Sequence, residues 1–194
     1  MKPVLIFGAG HLGKIALDIL QKNKLFIYGL LDDDLNLKGK IIQDIPVLGT
    51  TQEDQFMELL NEKCAAFVAL KKAAARKLLI EKLKKTKNAH LINAIHPSVI
   101  LASDIHLGEG NLINAATSLG PEVTLGNGCI LASHCGIGQD TKIGNYVHIG
   151  AGSMIAERVV IESEAYIGSG AIILAEAHIP QGAYIKPGSI VEKK

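Results

Sequence analysis

Starting at Ile95 and stepping by six, the chain carries an aliphatic residue at every position through Leu101, Leu107 and Ile113 to Ile179, Ile185 and Val191, seventeen in succession. The residue two places earlier is mostly small or β-branched, as at Val123, Cys129, Val147 and Ala165, and the residue after is often glycine, as at Gly108, Gly126 and Gly144. An α-helix needs an apolar period of about 3.6 and does not tolerate glycine at this density, whereas short strands alternate inward and outward and turn at glycine. Six residues therefore make one strand and one corner, and three such strands make a triangular coil. The register predicts about five stacked coils with no insertion, a left-handed parallel β-helix whose aliphatic ladder is buried only against neighbouring coils. Aromatic residues make up 4% of the chain and tryptophan is absent, which suits a narrow, layered interior.

The half before Ile95 reads differently. Val4 to Phe7 form a short apolar strand, followed by Gly8-Ala9-Gly10-His11-Leu12-Gly13, a G-x-G-x-x-G loop opening a helix with Ile15, Ala16, Ile19 and Leu20 on one face. A second strand, Leu25 to Leu31, ends at Asp32-Asp33-Asp34. Such a β-α-β unit binds a phosphate at the helix N-terminus and a ribose hydroxyl on the acid that follows. A helix around Gln52 to Asn61, a strand Ala65 to Leu70, a basic helix around Ala73 to Lys85 and a strand Leu91 to Ile95 continue the alternation. The expectation is a Rossmann-like α/β half domain over residues 1–95, too short for a two-halved dinucleotide fold, and a β-helix domain over residues 96–194. The Lys-rich run from Lys71 to Lys87 reads as a solvated helix face.

A net charge of +1 and the lack of a basic block argue against nucleic acid as a partner. No apolar run is long enough for a signal peptide or a membrane span, so the expected compartment is the cytoplasm. Cys64, Cys129 and Cys135 are odd in number and form no CxxC pair, so they read as buried thiols. No ligand cluster for a metal is expected.

The segments GAGHLGK and LLDDD followed by hexapeptide repeats, with the junction IHPSVILASDIHLGEG, resemble the sugar acetyltransferases that make bacillosamine precursors or O-acetylate sialic acid. The resemblance implies acetyl-CoA as donor and, as acceptor, the amino group of a nucleotide-linked sugar such as a UDP-4-amino-sugar, or a hydroxyl of a sialic-acid-like sugar. It implies that Gly8, Gly10 and Gly13 let the sugar nucleotide approach the backbone, that Asp32 and Asp33 contact the nucleotide, and that His11 reaches its phosphate. It also implies a homotrimer with clefts between neighbouring β-helices.

Members of that family carry a histidine next to an acid, with a second histidine nine positions on. Here the string runs Gln139-Asp140-Thr141-Lys142-Ile143-Gly144-Asn145-Tyr146-Val147-His148. The second histidine is His148; the first is Gln139, which has no basicity near neutral pH, so Asp140 stands beside an amide instead of a base. Three readings stay open. His148 contacts acetyl-CoA or replaces the missing base; His134, one corner earlier, serves a repositioned substrate; or the protein binds a sugar nucleotide without catalysis. By position, Gly150, Gly152, Gly168, Ser169 and Gly170, together with His148, are the expected acetyl-CoA contacts. A rival reading takes G-x-G-x-x-G with Asp32 as an NAD site.

Overall fold

A computed structural model describes residues 2–85 and 89–193. The chain divides into two compact units, Met1–Ala94 and Ile95–Lys194. The last part of the Lys-rich run, with Lys87, lies outside the described residues.

In the first unit the element order is β1 (Val4–Phe7), α1 (His11–Lys22), β2 (Ile27–Leu31), a 3-10 turn (Leu35–Leu37), β3 (Ile41–Ile42), β4 (Ile45–Gly49), α2 (Asp54–Glu62), β5 (Ala65–Val68), α3 (Ala73–Lys85) and β6 (His90–Leu91). The sheet runs β3-β4-β2-β1-β5-β6. β1 and β5 are buried along their whole length, as their unbroken apolar sequences require of central parallel strands. Strand order reverses direction at β1, so the carboxyl ends of β1 and β5 frame the crevice where ligands of open α/β sheets bind. The β3–β4 hairpin is not apparent in the sequence pattern; it turns on Gln43 and Asp44, both at positive φ, in the manner of a tight primed turn. The strand expected from Leu91 to Ile95 is split: His90–Leu91 closes this sheet, while Ala94–Ile95 is the first strand of the β-helix. In α3, Arg76 departs from the solvated reading. It is 1% exposed and donates to the carbonyls of Leu70 and Lys71.

The second unit is a three-sided parallel β-helix of two-residue strands, with six strands on each of two faces and five on the third. The first face presents Leu112, Ile130, His148, Tyr166 and Tyr184 outward; the second presents Ser118, Gly136, Met154, Ile172 and Ile190; the third presents His106, Thr124, Lys142, Val160 and His178. The residue that follows each of these is a rung of the aliphatic ladder. From Ile113 to Ile179 those rungs are buried and form one continuous core.

The corners differ from the expectation that the chain turns at the glycine after each aliphatic. The left-handed residue lies two places further on, at Ala116, His134, Asp140, Tyr146 and Arg158 as well as at Gly152 and Gly170. The glycine next to the aliphatic serves packing instead. A Cβ on Gly126 would come 2.7 Å from the Gly144 carbonyl of the next coil, and one on Gly150 would come 2.4 Å from the Ser169 nitrogen. The small inward residues also have a polar task. Thr117 and Thr141 donate their hydroxyls to Ala132 and Ala156 carbonyls at 2.9 Å, and the Cys129 and Cys135 thiols reach the Gly144 and Gly150 carbonyls at 3.1 and 3.2 Å.

Candidate active site

In the first unit, Gly8 and Gly13 are glycines for internal reasons. Gly8 has φ 115° and lies against the Ala69 carbonyl, while a Cβ on Gly13 would fall 2.0 Å from the Gly8 oxygen, so α1 can seat on the loop only without a side chain there. Gly10 is different. It is exposed at the N-cap of α1, and a Cβ there would meet nothing within 4 Å. The first turn of α1 carries no acidic side chain and Gly10 supplies no side-chain cap, so the positive end of the helix dipole is not offset there by a carboxylate of the helix itself. His11, the first residue of the helix, is exposed there.

The three aspartates after β2 are engaged in holding this loop and its surroundings. Asp32 accepts from the Ala9 N–H at 2.7 Å and from the Asp34 N–H at 2.9 Å, which ties the end of β2 to the glycine loop. Asp33 accepts from the Thr51 N–H and hydroxyl, both at 2.9 Å. Asp34 caps the 3-10 turn through the Asn36 N–H at 3.0 Å. Thr51 carried no sequence signal, because its partner lies eighteen residues away across the sheet edge.

On the β-helix, His148 is half-buried on the first face. Its imidazole stacks on Tyr166, with centroids 4.7 Å apart and planes within 4°, and Tyr166 stacks on Tyr184 at 5.1 Å and 13°. The edge between the first and second faces holds His134, Gly150, Gly152, Gly168, Ser169 and Gly170. Its corners are stacked by Gly152 N–H donating to Ser133 at 3.0 Å and Gly170 N–H donating to Ala151 at 2.9 Å. Gly152 and Gly170 have φ of 69° and 68°, and a Cβ on either would meet nothing within 4 Å. Above exposed His134, the edge is bare backbone at Gly152 and Gly170, with exposed Ala151 and Ser169 beside them, and each of these corners directly follows a strand of the first face.

Gln139 and Asp140 lie on another edge, between the second and third faces. Asp140 sits at a left-handed corner with φ 55°, its N–H donating to Pro121 at 2.9 Å, and the Gln139 carbonyl accepts from the Arg158 N–H at 3.0 Å. Arg158 bonds Glu176 at 3.1 Å, and Lys193 bonds the same carboxylate at 2.6 Å; Lys193 first and Arg158 second hold Glu176 below the ordinary carboxylate range. The fold thus sets His148 on the first face next to the edge that holds His134 and the corner glycines, and within one chain the second face separates them from Gln139 and Asp140.

The third edge carries an asparagine ladder, with the Asn127 N–H donating to Asn145 Oδ1 at 2.8 Å and the Asn145 N–H to Ser163 Oγ at 3.0 Å. Beside it His178 Nε2 meets Glu162 at 2.9 Å on exposed surface, and this contact, with the Gln181 N–H, lowers the Glu162 pKa. Among the described residues no helix is long and apolar enough to cross a membrane, and no group of three His, Cys, Asp or Glu side chains could hold a metal.

Residues 3–83 match the PglD N-terminal domain family and residues 140–175 match the bacterial transferase hexapeptide repeats. No curated protein matches the chain in sequence. Among solved structures, a histidine-to-asparagine mutant of perosamine N-acetyltransferase from Caulobacter crescentus, in complex with CoA and GDP-perosamine, is 24% identical with a TM-score of 0.91, over 100% of this chain and 90% of that one. The acetyltransferase domain of PglB from Neisseria gonorrhoeae, in complex with acetyl coenzyme A, is 22% identical with a TM-score of 0.88, over 98% and 93%. WeeI from Acinetobacter baumannii is 23% identical with a TM-score of 0.85, over 100% and 94%. The fold is therefore the one expected from the six-residue period, a left-handed β-helix after an α/β half domain. By sequence, residues 3–83 are thus similar to the PglD N-terminal domain, and residues 140–175 of the β-helix to the bacterial transferase hexapeptide repeats.

Proposed function

We propose that this protein is a cytoplasmic, homotrimeric acetyltransferase that moves the acetyl group of acetyl-CoA to the amino group of a nucleotide-linked sugar. The observation that carries the reading is the likeness of both units, in order and over nearly the whole chain, to solved acetyltransferases, two of them with CoA or acetyl-CoA bound. The bare backbone at Gly152 and Gly170 fits a pantetheine arm lying against it, with Ser169 and the Gly150 and Gly168 corners beside it. Acetyl-CoA supplies an activated thioester when bound. The chain's own residues then position the acceptor, take its proton and hold the carbonyl.

In the first unit, the α1 N-terminus and the open side of Gly10 suit a diphosphate, and His11 stands within reach of its charge. Asp32 secures the loop through Ala9, so its contribution to binding is first of all to hold that loop in place. On the second unit, His148 is the group we assign to the reacting centre, either accepting the proton of the attacking amine or contacting the thioester. Gln139 cannot accept a proton, and Asp140 beside it remains an acceptor for the sugar amine. A trimer with the second faces turned toward its axis would set the edge beside His148 of one copy against the Gln139–Asp140 edge of the next. His134, on the edge next to the face of His148, is the alternative base.

The test is CoA release from acetyl-CoA with a panel of UDP- and GDP-linked amino sugars and with sialic acid. Turnover is expected with an amino sugar, and His148→Ala should lower it about 10²–10⁴-fold. An unchanged rate in that variant removes His148 from the reaction. Tight nucleotide-sugar binding with no turnover on any acceptor selects the second reading, a non-catalytic sugar-nucleotide-binding protein, which the amide at Gln139 favours.

A further inference from the structure

We infer that Tyr166 is the positioning residue for His148, fixing the plane of its imidazole; the inference rests on the proposed role of His148. The register pairs Ile130, His148, Tyr166 and Tyr184 on successive coils of one face, so four outward side chains stand in a column at the spacing of adjacent strands. That spacing, about 4.7–4.9 Å, is also the distance at which flat rings stack. His148 lies 4.7 Å from Tyr166 with the planes within 4°, so the ring contact follows from the coil's own repeat and needs no distortion.

The consequence concerns the one torsion that matters for a histidine nitrogen. The outer torsion of a histidine side chain is broad and roughly two-fold, so an exposed imidazole samples many planes. Here the register puts buried Ile130 on one side of His148 in the column and the Tyr166 ring lies on the other. A ring so flanked keeps its faces covered, and since Nδ1 is itself buried, only the remainder of the ring edge is left to a reactant. Tyr184 backs Tyr166 in the same way at 5.1 Å but is 64% exposed, so it supports the column without touching the imidazole. The tyrosine hydroxyl has no part in this; the flat ring does the work, and phenylalanine should replace it.

The experiment compares Tyr166→Phe, Tyr166→Ala and Tyr184→Ala with the unaltered protein. The first readout needs no turnover. In NMR spectra of the CoA-free protein the His148 ring protons should be shifted upfield by the stacked ring, retain that shift in Tyr166→Phe and lose it in Tyr166→Ala. Tyr184→Ala should change it least. The second readout is kinetic: kcat should fall about ten-fold in Tyr166→Ala with KM for acetyl-CoA within two-fold of the original, and recover in Tyr166→Phe. A His148 spectrum indifferent to Tyr166→Ala overturns the inference, and so does a Tyr166→Phe variant as impaired as Tyr166→Ala. If the ring shift behaves as expected but no acceptor supports turnover in any form of the protein, the stacking stands and the enzymatic reading fails.

Discussion

Gly10 and Gly13 lie three residues apart in one loop, and the demands on them are opposite. The Gly8 oxygen occupies the space a Gly13 side chain would need, whereas Gly10 faces open space at φ −73°, a conformation any residue adopts. Gly13→Ala should therefore cost about 1–3 kcal/mol by overpacking, seen as a lower midpoint in thermal or urea unfolding. Gly10→Ala should stay within about 1 kcal/mol of the original, since glycine and alanine differ modestly at an N-cap. If a diphosphate lies against this turn, the same Gly10→Ala variant should bind nucleotide sugar about ten-fold more weakly, by loss of close backbone approach. A variant that folds normally and binds as tightly as the original would move the phosphate site elsewhere. The loop itself was legible because glycine spacing is a local signal. The duty of Asp32 toward the Ala9 N–H was not, because it spans twenty-three residues and competes with the ribose role that the same spacing suggests.

At the level of the coil, period and ladder were readable from residue type alone, because each rung must be aliphatic and buried against the next. The turning residue was not readable, since Ala116, His134, Asp140 and Arg158 accept the left-handed corner as glycine does, and inter-coil hydrogen bonds offset its strain. The two columns of each coil differ in chemistry as well. Where the inward small residue is Thr, Cys or Ser, it carries a donor that reaches the carbonyl of the following coil, and Cys135 is one of them, 1% exposed with its thiol 3.2 Å from the Gly150 oxygen. Burial pushes this thiol up to about 11, against the milder opposing effect of the Ser153 and Gly152 N–H groups. An unfolded cysteine ionises at about 8.5, so the folded state holds the proton longer, and stability present below that pH is lost as pH rises toward 11. The unfolding midpoint of the unaltered protein should drop more between pH 7.5 and 10 than that of Cys135→Ala. Parallel pH dependences in the two would mean that the thiol is ionised or solvated in the fold.

For the whole molecule, the residues proposed for the site fall on separate parts of the β-helix, His148 on the first face beside the edge of His134, and Gln139 and Asp140 on the edge between the second and third faces. Between them lies the second face, whose outward column includes Met154, Ile172 and Ile190, 53%, 40% and 64% exposed. Apolar side chains on a flat parallel sheet are costly to leave in water, and three such faces turned to a common axis would cover them while abutting unlike edges of neighbouring copies. The protein should then run at three times the 20.6 kDa of one chain in light scattering. Mixed assemblies give the sharper test. His148→Ala and Asp140→Ala should each be nearly inactive alone, yet a trimer refolded from both contains one cleft in which an intact His148 from one copy faces an intact Asp140 from the next. Random mixing in equal amounts should restore about a quarter of the original sites, as closed three-fold symmetry dictates. No restoration, with the mixed trimers verified by mass, would mean that each cleft draws both residues from one chain. Full activity in Asp140→Ala alone would remove the Gln139–Asp140 edge from the site altogether.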